Sequence, residues 1–359
     1  MSSDITMHGQ NVHNRAVYAD LLNWGECFKT VKIGVFGRGI TDESARSTVK
    51  QLRDSGIDAT VVIAAPHDVN CVIVLGGDHG VRRYYHQNPD ADVPVLGVSE
   101  ADPGGFLAQI DLKEIHSYTD RLKRDRYDIE EVTRLGVKID GKDAYPVLNE
   151  VAVFSSKSAM LMEYTLRVNE KDVWHDSSDG IIVSTPIGSS AYSMSAGGPI
   201  IFQESEVFEI ISVNSLDINR RPMIVPNDGS IEICNIWSRL HCVVILDGTE
   251  RLRVRKSIEC FKYSQPAKII RVKHESTAIS ALAKKARLAG DLLSMPPSSK
   301  LLLKILEYKG ALTQRELAAE TMLPDRTVRQ ALANLLNSGH VTRRVSLRDA
   351  RQRIYEIHR

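Results

Sequence analysis

No cysteine of this chain sits in a CxxC pair, and the five present, Cys27, Cys71, Cys234, Cys242 and Cys260, make an odd number. That points away from a disulfide framework and from a zinc site built on paired cysteines. Cys71 leads into Val72-Ile73-Val74 and Cys242 into Val243-Val244, so these thiols read as reduced and mostly buried, in a cytoplasmic protein. The eleven histidines are scattered without ligand spacing. No apolar run has the length of a membrane-crossing helix, so no membrane partner is expected. The N-terminus is polar, without the charged-then-apolar order of a signal peptide. Net charge is only +1, which favours no class of partner by itself. The charge is uneven, however. Ser298 to Arg359 holds twelve Lys/Arg and six Asp/Glu, a net +6, which leaves −5 for the residues before it. A basic tail segment on a mildly acidic body is the asymmetry this produces.

What is present is ordinary globular material. The 359 residues are 43% hydrophobic and 25% charged, enough for two or three domains with real cores. Residues 1–30 carry little signal beyond a candidate short amphipathic helix over 17–28. Val31 to Phe36 reads as a buried strand. Thr41, Asp42 and Glu43 open a helix that runs to about Asp54 and closes at Gly56. Ala59 to Ala64, Cys71 to Leu75 and Val93 to Val98 read as further strands, a spacing that predicts a parallel, helix-covered sheet. The third strand empties into Gly76-Gly77-Asp78-His79-Gly80, a carboxylate among glycines where α/β sheets place chemistry. Leu112 to Arg126 reads as a helix and Asp128 to Ile139 as one strand. Beyond the turn at Asp140-Gly141-Lys142-Asp143 the chain becomes strand-rich.

The stretch Ser177 to Pro199 stands out. Asp179 and Gly180 precede the apolar run Ile181 to Val183. A run made almost wholly of Gly, Ser, Thr, Ala and Pro follows it. Small residues let backbone N–H groups come close to a ligand. The hydroxyls of Ser184, Thr185, Ser189, Ser190, Ser193 and Ser195 are expected to add short donors and acceptors, and Tyr192 an aromatic face. This stretch resembles the NAD kinase family, whose pattern there is close to DGxxxxTPTGSTAYSxSAGGP. The chain has Ile187 for Thr, Ser190 for Thr and Met194 for Leu. Leu148-Asn149-Glu150-Val151, about thirty residues upstream, matches the family's NE motif. Arg221-Pro222 with Val225-Pro226 resembles its RPxxxP segment. The resemblance spans about residues 31–274.

The resemblance implies an α/β N-terminal domain over 31–140 and a β-rich, NAD-binding domain over 141–275. It implies transfer of the ATP γ-phosphoryl to the 2′-hydroxyl of the adenosine ribose of NAD, with Mg²⁺ or another divalent cation accompanying ATP. Asp78 matches the family's general base and ribose contact. Gly76, Gly77, His79 and Gly80 match its phosphate loop. Asn149, Glu150, Asp179, Ser190, Ala191, Tyr192 and Ser195 match positions that line the NAD pocket. The family has GGDG, then usually Thr, where this chain has His79 and then Gly80. A positive φ at that position would suit Gly better than His. The imidazole there either blocks the nucleotide or contacts phosphate. At the next loop the chain keeps Gly105, Phe106 and Leu107 of the family's NxGxxGFL and adds Glu100 and Asp102. Those acids would repel a triphosphate or are simply solvated. Asp247-Gly248-Thr249 reads first as a hairpin turn.

Past residue 275 the character changes. Thr277 to Leu293 reads as a connecting helix within a linker over 276–299, and 300–359 as a small domain. Thr313 and Glu316 have capping-box spacing. Asp325 is expected to cap a helix through Val328, Leu332, Leu335 and Leu336. Val341 to Val345 and Arg353 to Ile357 read as two strands. TQRELAAETMLPDRTVRQALANLLNSGHV resembles winged helix-turn-helix domains of archaeal and bacterial regulators. The resemblance implies that Arg326, Thr327, Arg329 and Gln330 face a DNA major groove, with Arg343, Arg344, Arg348 and Arg351 on phosphates. The other use of such a module is protein contact or dimerisation. The whole therefore reads as an NAD kinase with an appended DNA-binding domain, in an even-numbered homo-oligomer. The alternative is an NAD(H)-sensing regulator that has lost catalysis.

Overall fold

The computed structural model describes residues 31–100, 105–157, 160–272, 295–321, 323–345 and 353–357, together with Ala283 and Gly290. The expectations for 1–30, for Asp102, for the helix over 277–293 and for Arg348 and Arg351 lie outside the described residues. So does Cys27; the other four cysteines are free and buried. No helix among the described residues is long and apolar enough to cross a membrane.

The first layer is built from β1 (Lys32–Phe36), α1 (Glu43–Asp54), β2 (Asp58–Val62), β3 (Cys71–Leu75), α2 (Gly77–Gln87), β4 (Val95–Ser99), β5 (Ala108–Asp111), α3 (Ile115–Lys123) and β6 (Asp128–Val132). α1 starts where Asp42 accepts the backbone N–H of Ser44, as an acidic N-cap should. β1, β3 and β4 are short runs rich in β-branched residues and buried almost throughout, which suits a sheet covered by helices. The strands pair in parallel in the order β2-β1-β3-β4, with β5 beside β4. In an open parallel sheet, ligands meet the carboxyl ends of the strands where the order reverses, here between β1 and β3.

The β-rich part holds β7 (Leu135–Ile139), β8 (Lys142–Asp143), β9 (Glu150–Ser155), β10 (Met162–Val168), β11 (Lys171–Ser178), β12 (Gly180–Ser184), the one-turn helix α4 (Tyr192–Ser195), β13 (Val207–Val213), β14 (Met223–Pro226), β15 (Ile231–Ser238), β16 (Cys242–Leu246), β17 (Glu250–Val254) and β18 (Ile258–Lys262). These strands make two six-stranded sheets, β11-β10-β15-β18-β7-β8 and β14-β13-β12-β9-β16-β17. Their inner faces share one core, with Tyr164, Leu166, Ile231 and Ile233 from the first and Val151, Val153, Ile181 and Phe208 from the second. Strand alternation sends every second residue to that core. β19 (Ala267–Arg271) then returns to the first layer, parallel to β4 and antiparallel to β6.

The single strand expected over 128–139 is two strands in two different sheets. The chain crosses between them at Arg134, whose side chain is wholly buried. Its guanidinium donates to the carbonyl of Pro89 at 2.7 Å and lies over the rings of Tyr85 and Tyr263. A fixed cation between two aromatic rings pins the crossing point. β7 thus pairs in a β-rich sheet although it precedes the expected boundary at 140, and β19 lies in the first sheet although it follows it.

The C-terminal segment runs α5 (Pro297–Lys309), β20 (Leu312–Thr313), α6 (Gln314–Thr321), α7 (Asp325–Asn337), β21 (Val341–Val345) and β22 (Arg353–Ile357). The strands pair antiparallel in the order β20-β22-β21. Leu302, Leu306, Leu317, Val328, Leu332, Leu335 and Tyr355 form a core of their own. The capping box at Thr313 and Glu316 is present, with the Thr313 N–H donating to the Glu316 carboxylate at 2.7 Å. Asp325 is not the cap of α7; Pro324 takes that place and Asp325 lies in the first turn.

Candidate active site

Gly76-Gly77-Asp78-His79-Gly80 forms the entry to α2. Positive φ falls on Gly76 (100°) and Gly77 (65°) and not on His79, which adopts ordinary helical backbone. The positions that need a glycine are therefore the two before Asp78, and His79, one residue after it, adopts its helical backbone without strain. Its imidazole is exposed on the first turn of α2. Its pKa is held below the usual value by partial loss of water and by the nearby Arg82, Arg83, His86 and Arg38. Arg83 donates to the carbonyl of Gly37 at 3.0 Å and lies over the Phe36 ring, so the β1–α1 turn and α2 meet through it. The Arg38 guanidinium is 3.9 Å from the Glu100 carboxylate, which gives that loop acid a cationic neighbour.

The Asp78 carboxylate is held by backbone donors. Its Oδ2 accepts the N–H of Phe106 at 2.7 Å, and its Oδ1 accepts those of Leu107 and Ala108 at 2.9 and 2.8 Å. Asp78 thereby holds the loop that enters β5. A Cβ at Gly105 would fall on the Asp78 carboxylate, which is the physical reason for glycine in Gly105-Phe106-Leu107. Sequence reasoning assigns Asp78 to chemistry and misses this second engagement.

The Asn149-Glu150 segment, buried at the start of β9, is held by a residue that the sequence presents only as a turn former. Asp247 does form the hairpin turn between β16 and β17, with φ of 48° followed by 70° at Gly248. Its carboxylate is also completely shielded from solvent and accepts the N–H groups of Leu148 (3.0 Å), Asn149 (2.7 Å) and Glu150 (3.3 Å). The fourth partner is His86 Nε2 of α2 at 2.8 Å. Burial raises the Asp247 pKa, but the His86 bond, the charges of His86 and Arg82 and the Leu148 N–H outweigh it, and the net shift is downward. Arg82 reaches the carbonyl of the same residue at 3.5 Å.

From the segment the network continues into the loop after β12. The carbonyl of Asn149 accepts the N–H of Thr185 at 2.8 Å and the hydroxyl of Ser184 at 3.3 Å. The Thr185 hydroxyl donates to the carbonyl of Leu148 at 2.5 Å and accepts the N–H of Gly188. A Cβ at Gly188 would fall on the carbonyl of Asn149, so only glycine lets the two segments touch. The expectation that six hydroxyls face a ligand needs correcting. Ser184, Thr185, Ser189 and Ser193 are wholly buried, and their hydroxyls bond Asn149, Leu148, Pro186 and Glu209 respectively. A tight turn buries backbone groups that must find partners, and its own hydroxyls serve them. Only Ser190 and Ser195 reach the surface, and the Ser190 hydroxyl donates to the carbonyl of Ile187 at 2.9 Å.

Tyr192 closes one side. Its ring stacks on Phe154 with centroids 5.8 Å apart. Burial pushes its pKa up, and the charges of Glu150 and Asp179 add to the rise, so each carboxylate lies within electrostatic reach of the Tyr192 hydroxyl. Asp179 Oδ2 accepts from the Asn214 amide at 2.8 Å. Asn149, Glu150, Asp179, Ala191 and Tyr192 are thus gathered around β9, β12 and the turn after it. α2 is tied to them through Asp247.

Residues 34–127 match the family described as ATP-NAD kinase N-terminal domain, and residues 148–272 match ATP-NAD kinase C-terminal domain. An NAD kinase of Methanopyrus kandleri is 32% identical over 204 residues, which is 57% of this chain and 73% of that protein. The NAD kinase of Thermococcus gammatolerans is 31% identical over 221 residues, 61% of this chain and 79% of that one. The chain belongs to the NAD kinase family. It is a kinase. The fold is shared with an Archaeoglobus fulgidus NAD kinase solved in complex with ATP, at TM-score 0.61 and 22% identity, over 72% of this chain and 99% of that chain. Yeast NADH kinase solved with NADH matches at TM-score 0.61 and 18% identity, over 74% and 88%. Within the family frame, Asp78 belongs to the N-terminal matched region, while Asn149, Asp179 and Tyr192 belong to the C-terminal one. The described exposed residues Arg326, Arg329, Gln330, Arg343 and Arg344, and half-buried Thr327, lie outside both.

Proposed function

We propose that this kinase phosphorylates NAD at the 2′-hydroxyl of its adenosine ribose, with ATP as donor. The observation that carries the proposal is the continuous hydrogen-bonded path from α2 through Asp247 to Asn149-Glu150 and the turn after β12. A carboxylate has about four lone-pair sites. Backbone donors occupy two on Asp78 Oδ1 and one on Oδ2, which leaves an Oδ2 lone pair for a substrate hydroxyl. In the proposed step the ribose oxygen bonds to the γ-phosphorus, the bond from that phosphorus to the β,γ-bridging oxygen breaks, and the hydroxyl proton passes to Asp78 while ADP leaves. Asn149, Glu150, Asp179 and Tyr192 would hold the dinucleotide, with Ser190, Ala191 and Ser195 along the surface of the same turn. Gly76, Gly77, His79 and Gly80 would face the phosphates. Among the described residues no group of three or more His, Cys, Asp or Glu is arranged to hold a metal ion. The described side chains therefore do not form a Mg²⁺ cage of their own. The test is NADP formation by the purified chain from ATP, Mg²⁺ and NAD. Steady turnover is expected; no turnover alongside measurable NAD binding would overturn the assignment.

We infer further that residues 297–357 are a winged helix domain that binds DNA. What supports this is the order helix, strand, helix, helix, strand, strand with its own core, the exposure of Arg326, Arg329, Gln330 and Arg343 and the net +6 of the segment from Ser298. Binding to mixed-sequence duplex DNA that falls steeply with salt is expected. A cytoplasmic location and an even-numbered homo-oligomer complete the proposal.

A further inference from the structure

We propose that His86 and Asp247 act as a positioning pair that sets the base-bearing helix against the dinucleotide-binding segment. The proposal rests on the kinase assignment above. Neither residue touches the reacting atoms; both act through the groups they hold.

α2 brings Asp78, Arg82 and His86 to one face, because residues four apart stack on a helix. Asp78 stands at its first turn. Arg82 and His86, one and two turns further on, both reach Asp247. Asp78 and His86 are about 12 Å apart along the axis at 1.5 Å per residue, so the helix is a short lever between them. On the other side of the contact, the carboxylate that takes His86 also takes three consecutive N–H groups, of Leu148, Asn149 and Glu150. Asp247 therefore fixes the backbone of the segment and the lower half of α2 with one buried group. The His86 ring has a further restraint in Tyr145, which stacks on it with centroids 6.4 Å apart and planes 17° apart. The ring is held, its Nε2–H donates, and the helix cannot slide or turn against Asn149-Glu150 without breaking a bond at a site where water cannot substitute.

His86→Phe keeps a ring for Tyr145 and removes the N–H, while His86→Gln keeps a donor. Misplacing reacting groups by about 1 Å can cost up to about 100-fold in activity. Expected for His86→Phe is a fall of that size in kcat for NADP formation, with KM for ATP little changed, and recovery of most of the loss in His86→Gln. Should His86→Phe be insoluble, His86→Ala is judged by the same criteria. An unchanged kcat, or a loss that Gln does not restore, would overturn the proposal. If the wild type shows no NADP formation, the kinase assignment fails separately. The pair is then decided by hydrogen exchange at the amides of residues 148–150. Faster exchange in the Phe variant with recovery in the Gln variant supports it, and unaltered exchange sinks it.

Discussion

Three backbone N–H groups converge on Asp78, and this changes what its substitution tests. The sequence suggests that Asp78→Asn removes a base and leaves dinucleotide binding intact. In the structure the new amide NH₂ would face backbone N–H donors, and a buried donor without an acceptor costs about 1–3 kcal/mol. Asp78→Asn is therefore expected to abolish NADP formation and also to lower the melting temperature and weaken NAD binding by calorimetry. Intact binding and stability would show that the 105–108 loop does not depend on the carboxylate. Gly105→Ala should resemble it in turnover, because its Cβ meets the same carboxylate. His79 makes a pH prediction. Its folded pKa lies below the unfolded value of about 6.5, so the fold favours the neutral ring. Such a group contributes its full stability above the unfolded pKa, and that contribution is lost as pH falls through the folded one. Melting temperature should fall as the pH drops below about 6.5, and the slope should be shallower in His79→Gln. Identical slopes would show that His79, despite its partial desolvation and its cationic neighbours, is not the source of the pH dependence.

At the scale of elements, the strands of the first layer were legible because buried β-branched runs admit few alternatives. The break at residues 132–135 was not. Asp128 to Ile139 places apolar residues at Ile129, Val132, Leu135, Val137 and Ile139, close enough to alternation to read as one strand, and the burial of Arg134 between Tyr85 and Tyr263 reveals that the chain changes sheets there. The turn after β12 shows the reverse case. Its residue types announced a special loop, yet most of its hydroxyls serve the loop's own backbone. α7 belongs to this scale too. Leu332 is buried in the C-terminal core, and a Leu→Ala change at such a site costs about 2–5 kcal/mol. Leu332→Ala should unfold residues 297–357 at a lower temperature and leave NADP formation unchanged, by calorimetric scanning alongside the enzyme assay. Loss of turnover would mean that the core of α5, α6 and α7 supports the body.

For the whole molecule, the two proposed activities should separate. Arg329→Ala with Arg344→Ala is expected to weaken binding to duplex DNA and flatten its dependence on salt, since with Arg344 removed from the phosphates fewer counterions are displaced. Turnover should not change. Salt-independent binding, or none, would leave residues 297–357 as a protein-contact module. Light scattering should give an even number of subunits; a monomer would refute that part of the proposal.

Order along the chain was enough to determine the family, the succession of an α/β layer and a β-rich part, and the candidate residues Asp78, Asn149, Asp179 and Tyr192. These rest on local patterns: alternation, glycine-rich turns and short motifs at fixed spacing. Tertiary structure alone decided which groups share a hydrogen bond. Asp247 lies nearly a hundred residues from Asn149, and His86 more than a hundred and fifty from Asp247. No periodicity links positions so far apart, because they meet only when two sheets and a helix pack, and a buried carboxylate then takes whatever donors packing delivers.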